Sequence, residues 1–280
     1  KIEQLKRANL LFGPANKIIL LKLQRRLAIM RTGPSMMGMS ITSQAIKISH
    51  ALELLETQTL SGLRDYMQGL MKQAAEKKSR GVQTLVKMSE FNAAFLSLQQ
   101  LLARKIEHPK IEELSVIIEN ELKENPNAKI MVFAQFRETA SALVKRLNQI
   151  PNVKASLFVG QAKKANTGLS QKEQKKTLED FRDGKLNLLC STSVGEEGLD
   201  IVEDNAVIFY EPIPSAIRKI QRAGRTARLS PGKLMILVTK DTRDEIHHYA
   251  SSAREKKMYK TIETIKKEIK NKPKTLNDFK

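Results

Sequence analysis

Between residues 129 and 238, short apolar runs alternate with amphipathic stretches of helical length, and this alternation restricts the fold more than any other feature. The runs cover residues 129–133, 155–159, 186–190, 206–210 and 234–238. Helical patterns at 138–148, 171–181 and 215–227 separate them, and another at 109–124 precedes them. A run such as Ile130-Met131-Val132-Phe133 has no polar face, which suits a strand covered on both sides in a parallel sheet. Ser170 and Glu173 form a capping box at a predicted helix start. Repeated strand and helix units define an α/β class, a parallel sheet flanked by helices. In such sheets the functional residues gather in loops at the carboxyl ends of the strands. Three loops qualify: residues 133–137, Gly160-Gln161, and the stretch from Ser191 to Asp200.

Residues 221–228, Gln221-Arg222-Ala223-Gly224-Arg225-Thr226-Ala227-Arg228, concentrate positive charge. At 3.6 residues per turn Arg222, Arg225 and Arg228 share one helical stripe, with no acidic residue inside the stretch. Guanidinium forks are always charged and present paired donors, so the row suits phosphate. Taken alone it also fits a solvated basic helix face.

Residues 1–107 read as helices throughout. Ile18, Leu21, Leu23, Leu27 and Met30 recur at helical spacing, as do Ile41, Ala45, Ile48, Leu52 and Leu55, and then Phe91, Phe95, Leu98 and Leu102. Gly13-Pro14 and Thr32-Gly33-Pro34 interrupt the pattern. Four to five helices are expected, with the Met and Leu stripes as core. Lys72, Lys77, Lys78 and Arg80 form a basic segment. His108-Pro109 sets the next boundary, since proline restrains the residue before it and suits a first helical turn. The expected parts are therefore 1–107, all helical; 108–245, α/β; and 246–280, a basic helix and tail. From Arg254 onwards ten Lys or Arg stand against four Asp or Glu. Met258, Ile262, Ile265 and Ile269 form an apolar stripe there, expected to dock on the body.

The formal net charge of +19 comes from 49 Lys and Arg against 30 Asp and Glu. Such an excess attracts polyanions in a salt-dependent manner and favours nucleic acid. Because it is spread along the chain and not gathered in one amphipathic helix, a membrane surface is disfavoured. No apolar run is long enough to cross a bilayer. The single Cys190 cannot form an internal disulfide, and the four histidines lack metal-ligand spacing. An intracellular protein with no metal site of its own is expected, cytoplasmic in a prokaryote or nuclear in a eukaryote.

In order, the loops and the arginine row resemble motifs IV, IVa, V and VI of superfamily 2 helicases, so residues 108–245 resemble the second RecA-like domain of such enzymes. The finer similarity is to archaeal Hef helicases and their eukaryotic relatives of the FANCM type. It rests on residues 129–133 with Arg137-Glu138-Thr139-Ala140, on Phe158-Val159-Gly160-Gln161-Ala162, on Gly168-Leu169-Ser170-Gln171 and on residues 192–200. Phe209-Tyr210-Glu211-Pro212 with Pro214-Ser215-Ala216-Ile217-Arg218 completes it. Residues 51–58 and 60–66 resemble the helical insertion that this family carries between its two RecA-like domains. The resemblance implies the C-terminal part of an ATP-dependent DNA helicase or translocase that acts on branched or forked DNA in replication-fork repair.

The resemblance also implies roles. Arg225 and Arg228 would be the arginine fingers, with Gln221 ordering the γ-phosphate and the attacking water. Gly198, Asp200 and Arg222 would face the nucleotide. Thr192, Ser193 and Gly195 would hold the phosphates of a single strand, with Arg137, Gly160 and Gln161 on the same path. Lys72, Lys77, Lys78 and Arg80 would join a duplex clamp.

No G-x-x-x-x-G-K-[ST] occurs, so nothing here cradles the β- and γ-phosphates. ATP with Mg2+ is expected only in the complete enzyme, whose first RecA-like domain is the missing partner, and this piece alone is expected to be inactive. Asp244-Glu245-Ile246-His247 spells a DExH box, but it opens a helix beyond motif VI, where a metal-binding carboxylate pair should close a buried strand. It is therefore rejected as motif II. A nuclease domain or a sliding clamp is a further partner, the latter on the faint pattern of Leu276 and Phe279. Two other readings stay open: half of an RNA-sensing or RNA-remodelling superfamily 2 ATPase, and a non-catalytic basic nucleic-acid-binding module.

Overall fold

Leu20, Leu23 and Leu27 fall on one side of a helix, and the first core forms on that side. The structure, a computed structural model, describes residues 1–30, 32–160, 168–192, 205–213, 215 and 232–271. In it α1 (Ile2–Arg7), α2 (Lys17–Met30) and α3 (Gly33–Thr57) close around Leu5, Leu11, Leu20, Leu23, Leu27, Ile41 and Ala45. Gly38, inside α3, allows the close approach: a Cβ there would stand 2.5 Å from Leu10 Cδ1 and 3.1 Å from Leu27 Cδ1. The break read at Thr32-Gly33-Pro34 is the start of this long helix. Thr32 Oγ1 accepts the Ser35 N–H at 3.3 Å and Ser35 Oγ accepts the Thr32 N–H at 2.7 Å, a reciprocal cap with proline in the first turn.

A second core, Leu70, Val82 and Leu85, joins α4 (Leu60–Ala75) to α5 (Arg80–Val86), and α6 (Ser89–Ala103) follows. This makes six helices among the described residues before residue 107, where four to five were expected. The additional ones are short: α1 has six residues and α5 seven, too few to display a helical period.

Residues 107–110 are fastened to the helices behind them. The Glu107 carboxylate accepts the N–H groups of Leu60 and Ser61 at the start of α4, the latter at 3.2 Å. His108 accepts the Lys110 N–H at Nδ1 and donates from Nε2 to Glu56 O at 3.1 Å, which fixes its neutral tautomer. The buried Lys110 ammonium donates to Thr57 O, 3.1 Å away at the end of α3. A carboxylate at a helix start and an ammonium at a helix end each oppose the local dipole charge. The chain accordingly divides into Lys1–Glu112 and Glu113–Lys280, so the first turn of α7 (Pro109–Glu124) belongs with the helical unit.

In the second unit the strands are β1 (Ile130–Phe133), β2 (Ala155–Phe158), β3 (Leu188–Ser191), β4 (Ala206–Phe209) and β5 (Lys233–Ile236). They form one wholly parallel sheet in the order β2-β3-β1-β4-β5. Helices α8 (Arg137–Leu147) and α9 (Gln171–Arg182) pack against it. The capping box expected at Ser170 and Glu173 starts α9. Met131, Phe133, Phe158, Phe181, Leu189, Val207 and Phe209 fill the core, with Phe133 and Phe209 edge to face at 6.1 Å. Cys190 lies inside the sheet, and burial pushes its thiol pKa up, so it is not a reactive thiolate.

Asparagines close the amino edge of the sheet. Asn205 Oδ1 accepts the Lys129 N–H, Asn187 Oδ1 accepts the Lys154 N–H, and Asn148 both gives to and takes from the Ala155 backbone. Lys233 ties β5 to Glu121 and Glu124 at the end of α7, and the two carboxylates hold its ammonium pKa up to about 12. The last element is α10 (Arg243–Asn271). Of its expected apolar stripe, Met258 is half-buried, whereas Ile262 and Ile265 remain 40% and 48% exposed, so that part of the stripe is less covered than expected.

Candidate nucleic-acid and nucleotide site

A parallel sheet gathers the carboxyl ends of all its strands on one edge, so strand order decides which loops become neighbours. Here β2, β3 and β1 lie side by side, and Phe158 and Phe133 both pair in register with Ser191. The loops beginning at Val159, Thr192 and Ala134 therefore stand in a row about 10 Å across, two strand spacings. The sheet brings Gly160, Thr192 and Arg137, far apart in sequence, onto this one edge.

Their surroundings differ. Gly160 is buried. Thr192 is 5% exposed, and its carbonyl accepts the Ser191 hydroxyl at 3.0 Å. Arg137 is the half-buried first residue of α8, and Phe136 before it supplies no side-chain cap. A guanidinium beside the first N–H groups of an eleven-residue helix suits a phosphate oxygen.

The 134–137 loop is pinned from both sides. The Ala134 N–H donates to Ser191 O on β3 at 2.9 Å. The Gln135 N–H donates to the carboxylate of Glu211, which is 5% exposed and leaves the end of β4. Glu211 was not singled out as a site residue from the sequence. The signal available was an acidic residue directly after a fully buried run, where a neutral loop residue is the ordinary choice.

In the helical unit, Lys72 lies in the last turn of α4, Lys77 and Lys78 in the turn that follows, and Arg80 at the start of α5, all four exposed. Lys77 takes a left-handed conformation with φ of 53°. Lys78 pairs with Glu76 at 2.5 Å, and that hydrogen bond lowers the Glu76 carboxyl pKa. The structure thus brings the four cations together at one exposed turn.

Gln161, Ser193, Gly195, Gly198, Asp200, Gln221, Arg222, Arg225 and Arg228 lie outside the described residues. The DExH-like tetrapeptide opens α10 as expected. Asp244 Oδ2 accepts the Thr239 N–H and Glu245 Oε2 the Asp241 N–H, both at 3.1 Å, so these carboxylates close the turn before the helix. Among the described residues no group of three or more His, Cys, Asp or Glu is arranged to hold a metal ion. No described helix is long and apolar enough to cross a membrane.

A helical bundle followed by this parallel sheet, with these loops on its carboxyl edge, is the C-terminal helicase half of a superfamily 2 protein. Residues 109–230 match the family model "Helicase conserved C-terminal domain", and residues 21–106 match "Putative ATP-dependent RNA helicase, helical bundle". The crystal structure of the Pyrococcus furiosus Hef helicase domain is similar, with a TM-score of 0.71 and 38% identity, over 89% of this chain and 52% of that one. The MJ1505 protein of Methanocaldococcus jannaschii, named "Putative ATP-dependent RNA helicase", is 37% identical over 80% of this chain and 28% of its own length. The ATP-dependent DNA helicase MPH1 of Pyricularia oryzae is 32% identical over 80% of this chain and 21% of its own length. The chain belongs to the Hef and FANCM family of superfamily 2 helicases. It spans under a third of the length of these curated relatives and about half of the Hef structure.

Proposed function

We propose that this chain is the helical insertion and second RecA-like domain of an intracellular ATP-dependent helicase that acts on branched or forked DNA. The observation that carries the reading is the row of Gly160, Thr192 and Arg137 loops on one sheet edge, in a chain that also gathers four cations at the α4–α5 turn. Phosphate carries no base identity, so such contacts track a strand of any sequence. Arg225 and Arg228 serve as arginine fingers, Gln221 orders the attacking water, and Gly198, Asp200 and Arg222 face the nucleotide. Thr192, Ser193 and Gly195 hold a single strand together with Arg137, Gly160 and Gln161. ATP and Mg2+ enter with the first RecA-like domain, on which the other half of the nucleotide cleft lies. The basic turn in the helical unit holds duplex DNA next to the junction. A nuclease domain or a sliding clamp is a further partner of the whole protein.

The test is a titration of the chain against a labelled fork, its matching duplex and its matching RNA at two salt concentrations. Tighter binding to the fork, weakening steeply with salt, is the expected outcome. Equal or tighter binding to RNA would replace the DNA reading by an RNA one, which the names of MJ1505 and of the helical-bundle family favour.

A further inference from the structure

Glu211 is a charged side chain with 5% exposure, and the purpose of that charge is not to complete the sheet. The β1–β4 ladder is already closed beside it by the Tyr210 N–H donating to Phe133 O at 2.9 Å. A carboxylate taken out of water is costly unless donors meet it, so an apolar or small residue would satisfy the fold at that point more simply. One donor that meets it is the N–H of Gln135, 76 residues away in sequence, two residues before Arg137 and one before the helix cap at Phe136. On the other flank the loop is held by Ala134 bonding to Ser191. One flank thus continues a strand ladder, whereas the other is tied to β4 through the Glu211 side chain.

We infer that Glu211 is a positioning residue for the nucleic-acid strand: it fixes the 134–137 loop and thereby the start of α8 and the guanidinium of Arg137. The inference rests on the phosphate-binding role proposed for Arg137 and adds to it the group that sets its place. Glu211 itself touches no substrate. Loss of the carboxylate frees the Gln135 N–H and lets the first turn of α8 shift. A misplacement on this scale weakens a charge-assisted contact without removing the residue that makes it.

The experiment compares Glu211→Ala, Glu211→Gln, Arg137→Ala and the Glu211→Ala/Arg137→Ala double variant with the unaltered chain. It reads fork affinity at two salt concentrations, amide exchange at Gln135 and thermal midpoint. Glu211→Ala is expected to weaken binding about tenfold, the effect of losing a hydrogen bond to a charged group, and to speed exchange at Gln135. Glu211→Gln, which keeps an acceptor oxygen, is expected to stay within about threefold of the unaltered chain. The double variant is expected to bind no more weakly than Arg137→Ala alone, because Glu211 acts through Arg137. If Glu211→Ala fails to fold, Glu211→Asp keeps the charge, shortens the reach and replaces it in the same cycle. Unchanged binding by the Glu211 variant, or losses that simply add in the double variant, would overturn the inference and leave the functional reading standing. Failure of the unaltered chain to bind DNA or RNA would overturn both.

Discussion

The helical unit and the sheet unit place their charged groups differently. In the helical unit, apart from Glu107 and Lys110 at its edge, much of the charge sits on flexible side chains that meet other side chains or water. Lys17 pairs with Glu53 at 2.7 Å, His50 lies 3.4 Å from the same carboxylate, and the four cations of the α4–α5 turn project into water. In the sheet unit the buried carboxylates of Glu211 and Asp244 bind backbone N–H groups and fix the shape of loops. Charge on long side chains acts through distance and is screened by salt, whereas charge on backbone amides acts through geometry and is not. The first unit is therefore suited to hold a polyanion of any shape. The second is suited to grip a strand in a defined register.

The difference can be broken most strongly at the arginine row. In the complete helicase, Arg225→Ala with Arg228→Ala is expected to lower nucleic-acid-stimulated ATP hydrolysis by about 10³- to 10⁵-fold. DNA binding by the present chain should barely change, and a parallel loss of binding would show that the row serves the other phosphate. Next in size, Phe133→Ala removes a fully buried ring from the sheet core and is expected to cost about 3–5 kcal/mol, read as a fall in the denaturant midpoint. Signals from the helical unit should persist where those of the sheet unit are lost; a single shared transition would mean that the two do not melt separately.

Replacing Lys72, Lys77, Lys78 and Arg80 by Ala is expected to weaken fork binding by about tenfold at low salt and to flatten the salt slope by about 3, since Lys78 is already paired with Glu76. An unchanged slope would remove this turn from the interface. The smallest effect concerns Glu53. The His50 hydrogen bond, helped by Lys17, brings its carboxyl from 4.5 down to about 2. A lowered carboxyl pKa stabilises the fold above the unfolded value and ceases to do so as pH falls through the folded value, so the helical unit should weaken between about pH 4.5 and pH 2. Glu53→Gln should remove about 1 kcal/mol at neutral pH, after allowance for solvent screening, and flatten that acid limb. Identical acid profiles for both forms would exclude the cluster as the cause.

What the sequence made legible follows from how local the signals are. Ile130-Met131-Val132-Phe133 announces a buried parallel strand by itself, and Ser170 with Glu173 announces a helix start within four residues. The short α1 and α5 give no period and went unseen as separate helices. The stripe of Ile262 and Ile265 shows the opposite failure: apolar spacing predicts a face to bury, but nothing in the spacing says that a neighbour is at hand. Glu211 required knowledge that β4 lies next to β1, and that adjacency follows from strand order across 76 residues, not from any local pattern.

The fastening of residues 107–110 bears on how the protein should be dissected. A cut at residue 106, where the helical-bundle family ends, would strip the Glu107 carboxylate from the first turn of α4 and the Lys110 ammonium from the last turn of α3. The truncated bundle would then fray at two helix ends that are closed in the native chain. Scissors placed after Glu112 leave both ends sealed, and a recombinant bundle with that terminus is the sound starting point for testing whether the helical unit alone binds DNA.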